Sequence, residues 1–208
     1  MDYIAAADGR PLLTIGDFGH LALVQKHREA RFSILNMLRQ IRWATYAVPI
    51  LRTMLTDYDM NLANLVFDGK EVPIDGLTQI SIANGPAYCT TPNIIGAPMA
   101  NSGNGKITVV MYSCDTIKKR REAMADAFKG RKSSHAEYRD VEQVKIIGRS
   151  IPSQLDGEYL GLISGEQNFG IQGSIRFLVS DTGSEKNGDE AFWPRTFNRL
   201  LGYNPDSS

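Results

Sequence analysis

Two short apolar stretches open the chain, Asp2–Ala7 and Pro11–Ile15, divided by Asp8-Gly9. Asp-Gly tolerates the left-handed backbone of a tight turn, so the pair predicts a hairpin. From about Leu21 to Thr56 the period lengthens. Ile34, Leu35, Leu38 and Ile41, then Ala44, Val48, Leu51 and Leu55, recur at helical spacing. Pro49 lacks an N–H and its ring crowds the preceding turn, so it is expected to kink or break the second part. After Asp59 the short period returns. Asn61–Phe67, Lys70–Ile74 and Thr78–Ala83 read as strands, with Asp68-Gly69 and Asp75-Gly76 as turns. Ile107–Ser113 is a strand rich in β-branched residues. Asp115–Lys129 reads as a helix, with Asp115 as N-cap and Gly130 as its stop. Tyr138–Gly148, Glu158–Ile163 and Ile171–Ser180 read as strands. Asp181–Glu190 is polar and linker-like, and Ala191–Leu201 reads as a short amphipathic helix.

A hairpin, a helical insertion and then mostly strands predict a mainly β (α+β) fold. The body is β-sandwich-like, with helices near the N-terminus and one helix between strands. A doubly wound sheet is disfavoured because strands and helices do not alternate. The expected organisation is a β-rich unit over residues 1–180, a linker over 181–190, and a C-terminal helix and tail over 191–208.

Charge and cysteine content narrow the function. Formal net charge is zero, so nothing marks the chain as a general nucleic-acid binder. Cys89 and Cys114 make no disulfide framework or metal cluster; they suit a reducing compartment, each as a small buried hydrophobe. No basic-then-apolar leader stands at Met1, and no run approaches the roughly 20 apolar residues of a membrane span. His20, His27 and His135 lack the spacing of metal ligands, so no metal is assigned to the chain's own residues. The basic run Lys118-Lys119-Arg120-Arg121 reads as a solvated helix face.

The richest chemistry lies in Leu155-Asp156-Gly157-Glu158, two acids either side of a glycine before an apolar run. As a plain hairpin turn it needs no function. Two acids at one turn also suit magnesium sharing, or removal of a proton from a hydroxyl.

Four segments, in order, resemble the second domain of the diacylglycerol kinase and sphingosine kinase superfamily. They are Ile15-Gly16-Asp17-Phe18-Gly19 with the helical stretch ending near Tyr46, and Ile82-Ala83-Asn84-Gly85-Pro86-Ala87-Tyr88. The third is Ile94–Ala100 followed by Gly103–Val110, and the fourth is Leu155-Asp156-Gly157-Glu158. The resemblance spans about Tyr3 to Val179. It implies ATP-dependent phosphoryl transfer to a lipid hydroxyl, with Asp156 as general base and Glu158 orienting it or joining a magnesium–water network. It also implies Asn84 and Gly85 on the nucleotide side, and Leu35, Leu38, Tyr46 and Leu51 in a lipid groove.

Two departures qualify the resemblance. The family's Gly-Gly-Asp-Gly-Thr nucleotide loop does not occur in this sequence. ATP and magnesium are therefore expected to be bound with an N-terminal domain that the chain does not contain. Where family members use acids to hold a structural magnesium, this sequence has Asn104 and Thr108, and that site is expected to be empty. The partners implied are a lipid substrate, a membrane surface touched from the cytoplasm, the missing nucleotide domain and a second copy of the chain. The alternative is a non-catalytic lipid-binding or regulatory module that keeps the fold only.

Overall fold

The computed structural model describes residues 2–6, 11–12, 14–30, 44–56, 58, 60, 62–85, 97–101 and 104–174. The described strands are β1 (Asp2–Ala6), β2 (Pro11–Leu12), β3 (Ile15–Gly19), β4 (Leu62–Phe67), β5 (Lys70–Glu71), β6 (Gln79–Ala83), β7 (Ile107–Tyr112), β8 (Ala136–Val141), β9 (Gln143–Leu155) and β10 (Glu158–Ser174). The described helices are α1 (Ala22–Ala30) and α2 (Ala44–Leu55), between β3 and β4, and α3 (Ile117–Phe128), between β7 and β8. The fold is mainly β, with the helices placed as the hydrophobic pattern predicts. The linker over 181–190 and the helix Ala191–Leu201 lie outside the described residues, as do Leu35 and Leu38.

All the described strands join one antiparallel sheet in the order β2-β1-β10-β9-β3-β6-β7-β8, with β4 and β5 attached along β9. Its main core is formed by Ile4, Phe18, Leu65, Ile80, Ile82, Ile107, Val109, Ile146, Ile151 and neighbours, all buried. The alternation of β7 shows how one strand serves two layers. Ile107, Val109 and Met111 enter this core, while Val110 and Tyr112 enter a second cluster with Ile15, Ala83, Cys114 and Ala123 of α3. A third apolar cluster, Val24, Ile50 and Met54 with Leu21 and Met124, joins the three helices.

The β9–β10 hairpin departs most from the predicted elements. Tyr138–Gly148 is two strands, β8 and β9, split at Glu142. There the Asp68 carboxylate accepts from the amides of Glu142 (2.9 Å) and Gln143 (2.8 Å), anchoring the β4–β5 turn to the start of β9. Glu158–Ile163 and the described part of Ile171–Ser180 are one continuous strand. Pairing with β9 carries it across the glycine-containing stretch that looks like a break in the sequence. β9 pairs with β4 through Val144–Gly148 and with β3 through Ser153–Leu155. Arg149 and Ser150 lie between, opposite the single residue Ser164, and Ser150 has φ 55°. This bulge bends the strand where it changes partner.

Smaller corrections have local causes. Lys70–Ile74 shortens to Lys70–Glu71, because Ile74–Leu77 closes a turn with Gly76 at φ 71°. Thr116, not Asp115, is the N-cap of α3: its backbone is extended and its hydroxyl accepts from Lys119 N at 3.3 Å. The Asp115 carboxylate pairs with Lys119 Nζ at 2.7 Å. Gly130, at φ 63°, ends α3 as expected, with Arg131 N bonded back to Asp126 O. α2 runs on through the buried Pro49. Packing on α1 through Ile50 and Met54 sustains it despite one missing backbone bond.

Candidate functional site

The turn between β9 and β10 is built as Asp-Gly predicts. Leu155 pairs with Glu158, and the two residues between have positive φ, 47° at Asp156 and 90° at Gly157. That backbone matches the twist of the flanking strands. The turn is also fastened to the chain 142 residues earlier. Asp156 Oδ1 accepts from Thr14 N (2.8 Å), Thr14 Oγ1 (2.7 Å) and Ile15 N (3.2 Å), and Asp156 N donates to Ile15 O (2.9 Å). A solvated turn acid has no need of such bonds. The carboxylate is half-buried and held in one orientation through Oδ1.

Thr14 also gathers the second expected segment. Its carbonyl accepts from Asn84 N (2.8 Å) and Gly85 N (3.3 Å), just past the end of β6. Asp156, Asn84 and Gly85, far apart in sequence, therefore meet through one residue. Gly85 is buried, yet a Cβ placed on it would meet nothing within 4 Å. Sequence reasoning missed Thr14. Its signal is a lone hydroxyl inside the apolar run Pro11-Leu12-Leu13-Thr14-Ile15.

The other expected residues are placed less centrally. Glu158 begins β10 with its side chain exposed, while Asp156 is held by Thr14 and Ile15. Leu51 is 48% exposed on α2, on a face that also exposes Val48 (39%) and Leu55 (60%). Tyr46 lies within α2, and its side chain is outside the described residues.

A buried polar layer lies under the turn. Asp17 on β3 stands opposite Gln154 on β9 and Ser81 on β6, and all three are 1% exposed. Asp17 Oδ2 accepts from Gln154 Nε2 at 2.5 Å. Its Oδ1 accepts from Ser81 Oγ at 2.5 Å and Gln79 Nε2 at 3.2 Å. Burial above all, and then the neighbouring Tyr138 and Asp17, push the Tyr112 hydroxyl well above its ordinary value.

Arg120 corrects the reading of the basic run as a solvated face. It is 7% exposed, and its guanidinium donates to the carbonyls of Met54 (2.8 Å), Thr56 (2.9 Å), Cys114 (3.0 Å) and Asp115 (3.3 Å). It caps the C-terminus of α2, where a cation is favoured by the helix dipole.

The structural magnesium implied at Asn104 and Thr108 does not fit the residues present. Asn104 Oδ1 accepts from Lys106 N at 2.9 Å, and Thr108 Oγ1 donates to Asp140 Oδ1 at 2.7 Å. One exposed carboxylate with an amide and a hydroxyl falls short of the oxygen cage a hard divalent cation needs. Among the described residues no three His, Cys, Asp or Glu side chains cluster as metal ligands. An open cavity of about 910 Å³, lined by Val66, Asp68, Lys145, Asn168 and Phe169 among others, lies at the far end of the β9–β10 hairpin from Asp156.

No family model and no curated protein matches the chain. Solved structures do. A "putative diacylglycerol kinase" from Bacillus anthracis str. Sterne aligns with TM-score 0.56 and 13% identity, over 81% of this chain and 53% of that one. A second structure so described gives 0.55 over the same shares, again at 13% identity. A third, described as a diacylglycerol kinase from that strain, gives 0.50 at 13% identity, over 83% of this chain and 50% of its own. The chain spans about half the length of the structures it matches, and what it shares with that half is the fold of a diacylglycerol kinase structure.

Proposed function

We propose that this chain is the lipid-binding, catalytic-base half of an ATP-dependent lipid kinase of the diacylglycerol kinase type. It would work with a nucleotide-binding domain and act at the cytoplasmic face of a membrane. The observation that carries the reading is the fastening of Asp156 to Thr14, at the place where Asn84 and Gly85 also converge. Phosphoryl transfer asks little covalent chemistry of the protein. It needs the acceptor hydroxyl in line with the γ-phosphate and a carboxylate to take the hydroxyl proton. Asp156 is held through Oδ1 by Thr14 and Ile15, which fixes the carboxylate that would take this proton. Asn84 and Gly85, joined to the same Thr14 carbonyl, would lie on the nucleotide side. The exposed Val48, Leu51 and Leu55 of α2 supply an apolar face for an acyl chain or bilayer, with Arg52 beside them for an anionic headgroup.

The test is transfer of labelled phosphate from ATP-magnesium to diacylglycerol, monoacylglycerol, sphingosine, ceramide and phosphatidylglycerol. It uses the longest reading frame that contains this chain. One lipid is expected to be labelled, and Asp156→Asn is expected to lower kcat by about 10²–10⁴. An Asp156→Asn protein as active as wild type would remove the base assignment. The misfit at Asn104 and Thr108 favours one other reading, a regulatory module that binds lipid without transfer. Lipid binding with no labelling of any lipid would establish it.

A further inference from the structure

Asp17 poses a problem that the base reading leaves unsolved. A carboxylate 1% exposed in the middle of a sheet costs more than an aliphatic side chain would there. Its bonds suggest what it contributes. An ionised carboxylate only accepts hydrogen bonds, whereas an amide side chain both donates and accepts. Facing Asp17, the amide of Gln154 must turn its Nε2 inward, as the 2.5 Å contact shows. Its Oε1 is then forced to the opposite side, where it accepts from Gly157 N at 2.7 Å. That N–H belongs to the second residue of the turn carrying Asp156. On the other side, Gln79 is oriented in the same way. Its Nε2 donates to Asp17 and Ser81, and its Oε1 accepts from Leu21 N at the start of α1. An unbroken chain of bonds thus runs from α1 across β6, β3 and β9 to Gly157.

We infer that Asp17 and Gln154 are positioning residues for Asp156. Asp17 sets which way the Gln154 amide points, and Gln154 clamps Gly157 so that the turn presents the Asp156 carboxylate in one orientation. Thr14 holds the carboxylate itself, and Gln154 holds the backbone that carries it. The inference rests on Asp156 being the base. The clamp also has a readout of its own, the exchange rate of the Gly157 amide proton.

The test exchanges the two groups in the longest reading frame that contains this chain. Gln154→Glu keeps an acceptor for Gly157 but sets a second carboxylate against Asp17. Asp17→Asn with Gln154→Glu restores the complement at the same net charge. The new amide accepts from Ser81 and Gln79 through Oδ1 and donates to residue 154 through Nδ2. Gln154→Glu alone is expected to lower kcat roughly 10–100-fold with KM for ATP little changed. It should also speed Gly157 exchange, and the double variant should recover both. Gln154→Met, which removes both bonds at similar volume, takes its place if the glutamate variant does not fold. Wild-type kcat in a folded Gln154 variant, beside a dead Asp156→Asn, overturns the positioning role alone. Lost activity with Gly157 exchange unchanged, or no recovery in the folded double variant, also overturns it. A fully active Asp156→Asn overturns the base reading and this inference together, while Gly157 exchange still reports whether the clamp exists.

Discussion

At the residue scale, two positions show how closely the sheet is fitted. Gly19 ends β3 at φ 105°, and a Cβ there would stand 2.6 Å from the carbonyl oxygen of Thr78. Both the backbone angle and the backbone neighbour resist a side chain. Gly19→Ala is expected to cost about 2–3 kcal/mol in a urea titration. Cys114 is buried against α3, and burial, partly offset by Lys119 and Arg120, pushes its thiol up to about 11. A raised value means that the folded state favours the protonated thiol. That contribution is complete below the ordinary value of 9.0 and disappears as pH climbs toward about 11. Wild type should therefore lose urea stability between pH 9 and 11 more steeply than Cys114→Ala. Equal slopes would show that the thiol is not linked to folding. Tyr112, raised in the same direction, remains in both proteins and leaves a shared residual decline.

At the element scale, α2 shows why sequence pattern and packing must be read together. Its apolar period was legible, and Pro49 argued for a break. The helix continues because its inner face packs on α1 and because Arg120, 66 residues beyond Met54, closes its C-terminus. Arg120→Met keeps an unbranched stem of similar length and leaves the carbonyls of Met54 and Thr56 without their cation. It is expected to cost about 2–3 kcal/mol. Amide exchange should rise first in residues 50–55, and uniform loss across the sheet would contradict the capping role. Nothing in Lys118-Lys119-Arg120-Arg121 separates the buried arginine from its exposed neighbours. Helical phase alone turns it inward, and only the position of α2 makes that inward face polar. The β9–β10 hairpin is the complementary case. Glycines in Glu158–Ser174 looked like a break because propensity is local, whereas a ladder partner supplies hydrogen bonds through bulges.

At the scale of the whole molecule, the candidate site is a junction of distant segments. Thr14, the Asn84-Gly85 pair and the Asp156 turn meet at the ends of β3, β6 and β9. The chain covers about half of each Bacillus anthracis structure it matches. Loss of transfer in Asp156→Asn with lipid binding intact would separate the proposed chemistry from the proposed docking face on α2. Loss of both would place the acid in the fold's support.

The sequence by itself determined the elements whose causes are local. These include the Asp68-Gly69, Gly76 and Asp156-Gly157 turns, the stop at Gly130, the helical insertion and the β-rich remainder. Each follows from φ preferences or hydrophobic period within a few residues. It also brought Asp156, Asn84 and Gly85 to attention through ordered motifs. What only the tertiary structure decided is how these are joined. Thr14 as hub, Asp17 as a buried acceptor orienting two glutamines, and Arg120 as a helix cap all depend on strand register and helix placement. A hydrogen bond spanning 142 residues leaves no periodic trace, because its two ends are brought together by every strand pairing between them.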